Sequence, residues 1–436
     1  MTRGSSTMTR RTLLTTSGLA AATLALGSCA KGNGSTGPGA AGGADVVTSA
    51  SWSDGVGDLL KGAIADAWSK KSGKKLQAQA SVTFDDYQTR FRTLLAGGSP
   101  PDVMRLNDDF LGEISGKKLS KDLTPYFKKS GLNKADFFPI FTWSDLPSGQ
   151  RGLVVAQQVR VIFYNKTMFQ KAGIPLPPTD WVADHWTWDD FLSAAQALTK
   201  GTEQYGAEVF ADTGYEEIWS RNNGGDGTYS PDGRKFTLAD PKGVQAVQWV
   251  ADLTTKHHVQ PLWGDVTPDQ APERMFVAGK LAMMLATSSD VTYFNENIKD
   301  FEWDLAPIPA KVHQYQQGSV VLYIIPEKGK NPDAAWDYLN FAIGPEGGKF
   351  IAEAGVSVPV NKQAAESLRS PGKYPAHIQL LTAGANHNKI VNFTTAGSAA
   401  VSLFRPQLER VYTGELTAAK ALGDIRPQVE QALAAG

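Results

Sequence analysis

The chain carries few of the residue arrangements that enzymes use. Carboxylates stand side by side at Asp85–Asp86, Asp108–Asp109, Asp189–Asp190 and Glu216–Glu217. Hydrolysis of a glycoside needs two carboxylates set apart across the substrate, whereas sequence neighbours diverge on a helix or a strand. His257 and His258 are adjacent too; on a helix they point in different directions and cannot clamp one metal ion from one face. The run "GPEGGK" (344–349) follows a helical segment and lacks the spacing of a phosphate loop. No G-x-S-x-G elbow, H-E-x-x-H pair or Cys/His zinc spacing occurs. Binding is therefore favoured over turnover, and no cofactor or metal is expected.

The elements that would position binding groups follow from periodicity. "ADVVTSASWSDG" reads as a strand, Val46 to Ala50, ending in a loop with Trp52, Ser53 and Asp54. "GDLLKGAIADAWSKKSG" has apolar residues at helical spacing and closes on Gly73. "KLQAQASVTF" is a second strand, "DDYQTRFRTLLAGG" a second helix and "PDVMRL" a third strand. This order predicts a mainly parallel sheet with helices on its faces. Ligands of such sheets bind outside the strands' carboxyl ends, where the loops 52–54 and 107–109 fall. In the middle third, a helix follows Trp188, "GTYSPDGRKFTL" predicts a β-hairpin, and Pro241 opens another helix. After residue 300, "FEWDLAPIPA" and "GSVVLYIIP" read as strands, and Asn331 is expected to cap "NPDAAWDYLNFAI". The C-terminal helix is expected to break at Gly414 and Pro427.

Of 436 residues, one is cysteine, Cys29, so no internal disulfide can form. It follows "RRTLLTTSGLAAATLALGS", a positive start and an apolar stretch shorter than the ~20 residues that span a bilayer. The run "LGSC" resembles a bacterial lipobox, so residues 1–28 are expected to be a signal peptide and Cys29 the lipidated residue. "TRRTLL" also loosely resembles a twin-arginine signal, and Met8 would serve as a start as well as Met1. Residues 29–44, rich in Gly, Ser and Ala, predict a flexible tether whose reach grows as ~5–6 Å × √n. The formal net charge of -1 gives no reason to expect nucleic acid as a partner. A chain of this length exceeds one core's usual growth, so two lobes are expected. The chain holds 11 tryptophans, several beside turn residues.

Four motifs, in order, resemble the extracellular solute-binding proteins (family 1) of ATP-driven sugar importers. They are "RFRTLLAGGSPPDVMRLNDDFLGEISGKKLSKDLTPYF", "RVIFYNKTMFQKAGIPLPP…TWDDFLSAAQALT", "MFVAGKLAMML" followed by "WDLAPIPA", and "NPDAAWDYLNFAIGPEGGKFIAEAGVSVPVNKQA". The resemblance spans roughly 45–430. It implies an α/β, two-lobe, periplasmic-binding-protein-like fold (type II), with a hinge of crossing strands and the ligand cleft between the lobes. Lobe 1 would hold 45–155 plus 308–356 and lobe 2 would hold 160–305 plus 362–436. Crossings would lie near Gln157–Val161, Pro307 and Val358. The implied function is non-catalytic capture of a sugar or oligosaccharide and its delivery to membrane permease subunits. The protein would be a monomer, lipid-anchored through Cys29 to the outer face of the cytoplasmic membrane. Two alternatives stand beside this: a binding protein for glycerol phosphate or a polyol, and a secreted hydrolase.

A sugar offers hydroxyls and apolar C–H faces, so its site needs flat aromatics beside carboxylates, amides or guanidinium groups. On that basis Trp52 and Asp54 are candidates at the first strand end, and Asn107 and Asp108 at the third. The resemblance adds Gln158 at the first crossing, Ser288 and Ser289 at a strand end, and Gln317, Gly318 and Ser319 in a glycine turn. Trp219, Arg221 and Asn222 combine an aromatic, a cation and an amide ahead of the expected hairpin. Each has a packing alternative: Trp52 as a cap on the core, Trp219 under the hairpin, Arg221 paired with Glu216 or Glu217. Trp188, Trp249, Trp303 and Trp336 are expected in the core.

Overall fold

The computed structural model describes residues 45–107, 110–210, 216–268 and 270–435. Cys29, its signal and tether, and Asp108 lie outside the described residues. Two sheets organise the rest. The first has six strands: β1 (Val46–Ala50), β2 (Lys75–Ala78), β3 (Val103–Leu106), β4 (Leu153–Gln157), β8 (Val320–Ile324) and β9 (Val358–Pro359). The second has three: β5 (Arg160–Asn165), β6 (Met283–Thr287) and β7 (Trp303–Ala306).

In the first sheet the order is β9–β4–β8–β3–β1–β2. β1 runs parallel to β2 and β3, as the alternation of strands and helices predicts. The late strands depart from that expectation. β8 inserts antiparallel between β3 and β4, and β9 adds antiparallel to β4. The second sheet is wholly antiparallel, with β5 central. Its central strand is buried along its length, as is β4, which explains their unbroken apolar runs. Only Gln158 and Val159 separate β4 in one sheet from β5 in the other.

Local chemistry accounts for most boundaries. The first expected helix is two, Gly55–Lys61 and Ala63–Ser72, because Gly62 adopts non-helical angles (φ -103°, ψ -104°). Thr187 and Asp190 form a reciprocal capping box that starts Trp188–Leu198. Asn331 stands at the N-terminus of Pro332–Ile343, but its side chain donates to the Val46 carbonyl (3.0 Å) instead of capping. The expected β-hairpin is a turn without strands: Ser230 N–H reaches the Lys235 carbonyl (3.0 Å), while the Arg234 and Lys235 N–H groups turn to the Asp232 and Ser230 side chains. The chain breaks at Gly414 (φ 77°) as expected, but Ala418–Ala435 continues through Pro427.

Candidate binding site

At the end of β1, Asp54 is the N-cap of the first helix. Its Oδ1 accepts Gly57 N–H (2.7 Å), while Oδ2 accepts Trp52 Nε1–H (3.0 Å) and faces Arg105 Nη1 (2.6 Å). Arg105, from β3, lays its guanidinium 3.8 Å from the centre of the Trp52 ring. Phe84 and Tyr87 meet the same ring edge-on. Trp52 is thus half-buried, with one face taken by the chain's own cation. Burial pushes the Tyr87 phenol well above its ordinary range, so it stays a donor to the Ala50 and Arg105 carbonyls (3.1 and 2.8 Å). Asn107 follows β3 and is half-buried.

Where the two sheets meet, several candidates converge. Gln158 N–H donates to the Ser319 carbonyl (2.9 Å), and its side-chain oxygen accepts the Ser288 hydroxyl (2.7 Å). Ser288 Oγ in turn accepts Val159 N–H (3.1 Å). Gly318 lies so close to this crossing that a Cβ there would stand 1.4 Å from the Gln158 carbonyl oxygen. Its N–H donates to Asn388 Oδ1 (3.0 Å), whose amide nitrogen donates to Gln157 Oε1 (2.9 Å). Arg160 donates to the Gln317 carbonyl (2.6 Å), and its own N–H to Gln316 Oε1 (3.0 Å). Ser288 and Gly318 are buried, Gln158 and Gln317 half-buried, Ser289 and Ser319 exposed. The structure therefore gathers Gln158, Ser288, Gln317, Gly318 and Ser319 at one crossing.

The helix Glu216–Asn222 distributes its three candidates differently. Trp219 is 1 % exposed and sits in the second core, 5.0 Å from Trp249, which stacks on Trp188 at 4.2 Å. Its ring packs in the core and presents no face to a ligand. Asn222 is buried as well; its side chain brackets Tyr315, donating to the carbonyl (3.0 Å) and accepting the N–H (2.6 Å). Arg221 bonds Glu217 through Nε, the pairing alternative named above. Trp188, Trp303 and Trp336 are core residues, and Trp249 is partly buried against the cluster that holds Trp188 and Trp219.

A cavity of about 420 Å³ opens beside this helix, with Trp143, Glu216, Tyr229, Gln317, Phe393 and Arg405 among its lining. Gln317 links it to the crossing, and its side-chain oxygen is buried with no hydrogen-bond partner among the described residues. Glu216 is held by Arg405 (Nη1–Oε1 2.8 Å) and by the Tyr412 hydroxyl (3.0 Å). Asn392 donates to the Tyr229 carbonyl (2.7 Å), tying segment 390–394 to the turn. Phe393 rests against Gly112, where a Cβ would come within 2.6 Å of its ring. Of this lining, sequence reasoning named only Gln317 as a site residue. An aromatic among turn-forming polar residues, as in "VNFTT", is the signal that could have added Phe393. Nothing local marks Trp143 or Arg405.

Among the described residues no group of three His, Cys, Asp or Glu gathers as a metal site, and no helix is long and apolar enough to cross a membrane. A model of the bacterial extracellular solute-binding protein family matches residues 39–349, and the chain belongs to that family. It is similar in fold to an ABC substrate-binding protein from Listeria monocytogenes solved in complex with cycloalternan: TM-score 0.77, 22% identity, 89% of this chain and 99% of that one. The cyclic alpha-maltosyl-1,6-maltose binding protein of Arthrobacter globiformis gives 0.73 at 19% identity, over 90% and 99% of the two chains. A binding protein of Brucella abortus is 25% identical over 300 residues, 65% of this chain and 68% of the relative. The fold is thus the two-lobe, mixed α/β fold of periplasmic binding proteins. As a member of an extracellular family, the protein is exported.

Proposed function

We propose that this protein is the substrate-binding component of an ATP-driven carbohydrate importer. It holds a sugar or oligosaccharide non-covalently between its lobes and delivers it unaltered to membrane permease subunits. The observation that carries this reading is the cavity lining. Trp143, Tyr229 and Phe393 provide flat apolar faces, while Gln317, Asn392 and the Glu216–Arg405 pair provide donors and acceptors for hydroxyls. One structural neighbour is solved in complex with cycloalternan and another is a cyclic alpha-maltosyl-1,6-maltose binding protein, which supports the same class. The lobes are 45–155 with 308–356 and 160–305 with 362–436, and the protein acts as a monomer tethered through a lipid on Cys29.

Ligand that binds only the native state raises apparent stability by RT ln(1 + [L]/Kd). A thermal-shift screen against mono-, di- and oligosaccharides is expected to give a dose-dependent rise, with the sugar recovered intact by chromatography. A product in place of the sugar, or no rise with any carbohydrate, refutes the reading. Mass spectrometry of the membrane-bound form is expected to find diacylglycerol on Cys29.

A further inference from the structure

The arginines near the candidate site are already matched. Arg105 faces Asp54 at 2.6 Å, Arg221 bonds Glu217, and Arg160 donates to the Gln317 carbonyl while its charge acts on Asp290. The pair that borders the cavity is enclosed on both sides. Arg405 and Glu216 side chains are 13% and 5% exposed, joined through Nη1–Oε1 at 2.8 Å and Nη2–Oε2 at 3.5 Å. Tyr412 adds a third contact to Glu216. Burial and the Glu216 charge push its phenol well above the ordinary range, so it keeps its proton and donates at 3.0 Å. Glu216 is thus bonded by both Arg405 and Tyr412, and no lysine joins the lining among the described residues.

We propose that Glu216 is a specificity-determining residue: it cancels the charge of Arg405 at the cavity wall, so that the site takes neutral glycans and refuses carboxylated or phosphorylated ones. This rests on the carbohydrate reading above and narrows it. An anion approaching Arg405 also approaches Glu216, which contacts it at 2.8 Å, so attraction and repulsion offset each other. Its lost hydration then goes uncompensated. A neutral hydroxyl makes no such demand. It needs only a donor and an acceptor, and Gln317 Oε1, buried without a partner among the described residues, is one such acceptor.

The test compares two panels by thermal shift and calorimetry. The neutral panel is maltose, cellobiose, maltotetraose and a cyclic glucan; the acidic panel is glucuronate, digalacturonate and glucose 6-phosphate. Wild type is expected to bind a neutral member and to bind every acidic one at least ~100-fold more weakly. Glu216→Gln keeps the side chain's shape and removes the carboxylate charge that Glu216 sets against Arg405. It is expected to tighten acidic binding about tenfold or more, an effect that adding Arg405→Gln reverses. An acidic sugar that binds wild type as well as a neutral one overturns the charge mask while leaving the carbohydrate reading in place. So does a folded Glu216→Gln that gains nothing for acids. Silence with both panels overturns the carbohydrate reading and this inference together. If Glu216→Gln does not fold, the wild-type ratio of the two panels still decides.

Discussion

Replacing Trp219 by alanine separates a core residue from a ligand platform. An indole buries on the order of 150–250 Å², and Trp219 leaves only 1 % of its own surface exposed. At about 25 cal/mol per Å² its burial is worth roughly 4–6 kcal/mol, of which alanine keeps a small part. The stacked Trp188 and Trp249 rings, 4.2 Å apart, are held by their own neighbours and cannot collapse into the void. Trp219→Ala is therefore expected to lower stability by about 3–5 kcal/mol. The indole Nε1 has no hydrogen-bond partner among the described residues. Trp219→Phe removes that stranded donor along with part of the ring, so its loss is expected to stay below about 1.5 kcal/mol. Urea unfolding followed by circular dichroism reads both, since a lower midpoint at unchanged slope reports stability alone. A Trp219→Ala protein with a wild-type midpoint and no glycan response would refute this reasoning and return the ring to the ligand.

Three further outcomes are expected. Asp54→Asn keeps a good cap residue but leaves buried Arg105 without its carboxylate; a loss of about 1–2 kcal/mol is expected, moderated because Asp54 is partly exposed, and a double-mutant cycle with Arg105→Met measures it. Gly318→Ala must push residues 316–319 off the Gln158 carbonyl, breaking the bonds to Ser319 and Asn388; a drop of about 2–4 kcal/mol is expected in urea, and a wild-type midpoint would contradict the contact. Asp290 is pushed up to about 6 by burial and then by Glu273, with Thr287 and Arg160 opposing. The native state therefore holds its proton where the unfolded chain has lost it, so stability falls as pH rises from about 4 to 6 and is level above. Asp290→Asn is expected to flatten that fall and to add up to about 2–3 kcal/mol at pH 7, as read by melting across pH.

The elements were legible because local chemistry sets them. Val46–Ala50, the capping box at Thr187 and Asp190, and Pro241 at a helix start all announce themselves in the sequence. Sheet order was not, because the insertion of Val320–Ile324 between β3 and β4 pairs residues about 200 apart, and no local pattern encodes that. The candidate site divides along the same line. Asp54, Gln158 and Gly318 lie at strand ends or crossings, where chain order and motif resemblance point. Trp219 misled because an indole suits a core as well as a cleft, and the stacking of Trp188 on Trp249 is a tertiary fact. Trp143 lies far in sequence from Phe393 and Arg405, and the three gather only around the cavity.

The crossing itself bears on how such a site could open. Most of the bonds that stitch it together join neutral groups, Gln157 with Asn388, Gln158 with Ser288 and Gln316 with the Arg160 N–H, beside the Arg160 guanidinium on the Gln317 carbonyl. Each such bond is worth about 0.5–1.5 kcal/mol net, because water replaces it when it breaks. Ion pairs buried at the same place would resist separation by several kcal/mol each. In the proposed reading, then, open and closed arrangements differ by little, and a glycan shifts them only by its differential affinity for the two. The strong pairs, Arg105–Asp54 and Arg405–Glu216, each form apart from the crossing: the first within the six-stranded sheet and its first helix, the second among the helices beside the cavity. In that reading the two ion pairs stay intact as the lobes move, because neither spans the crossing.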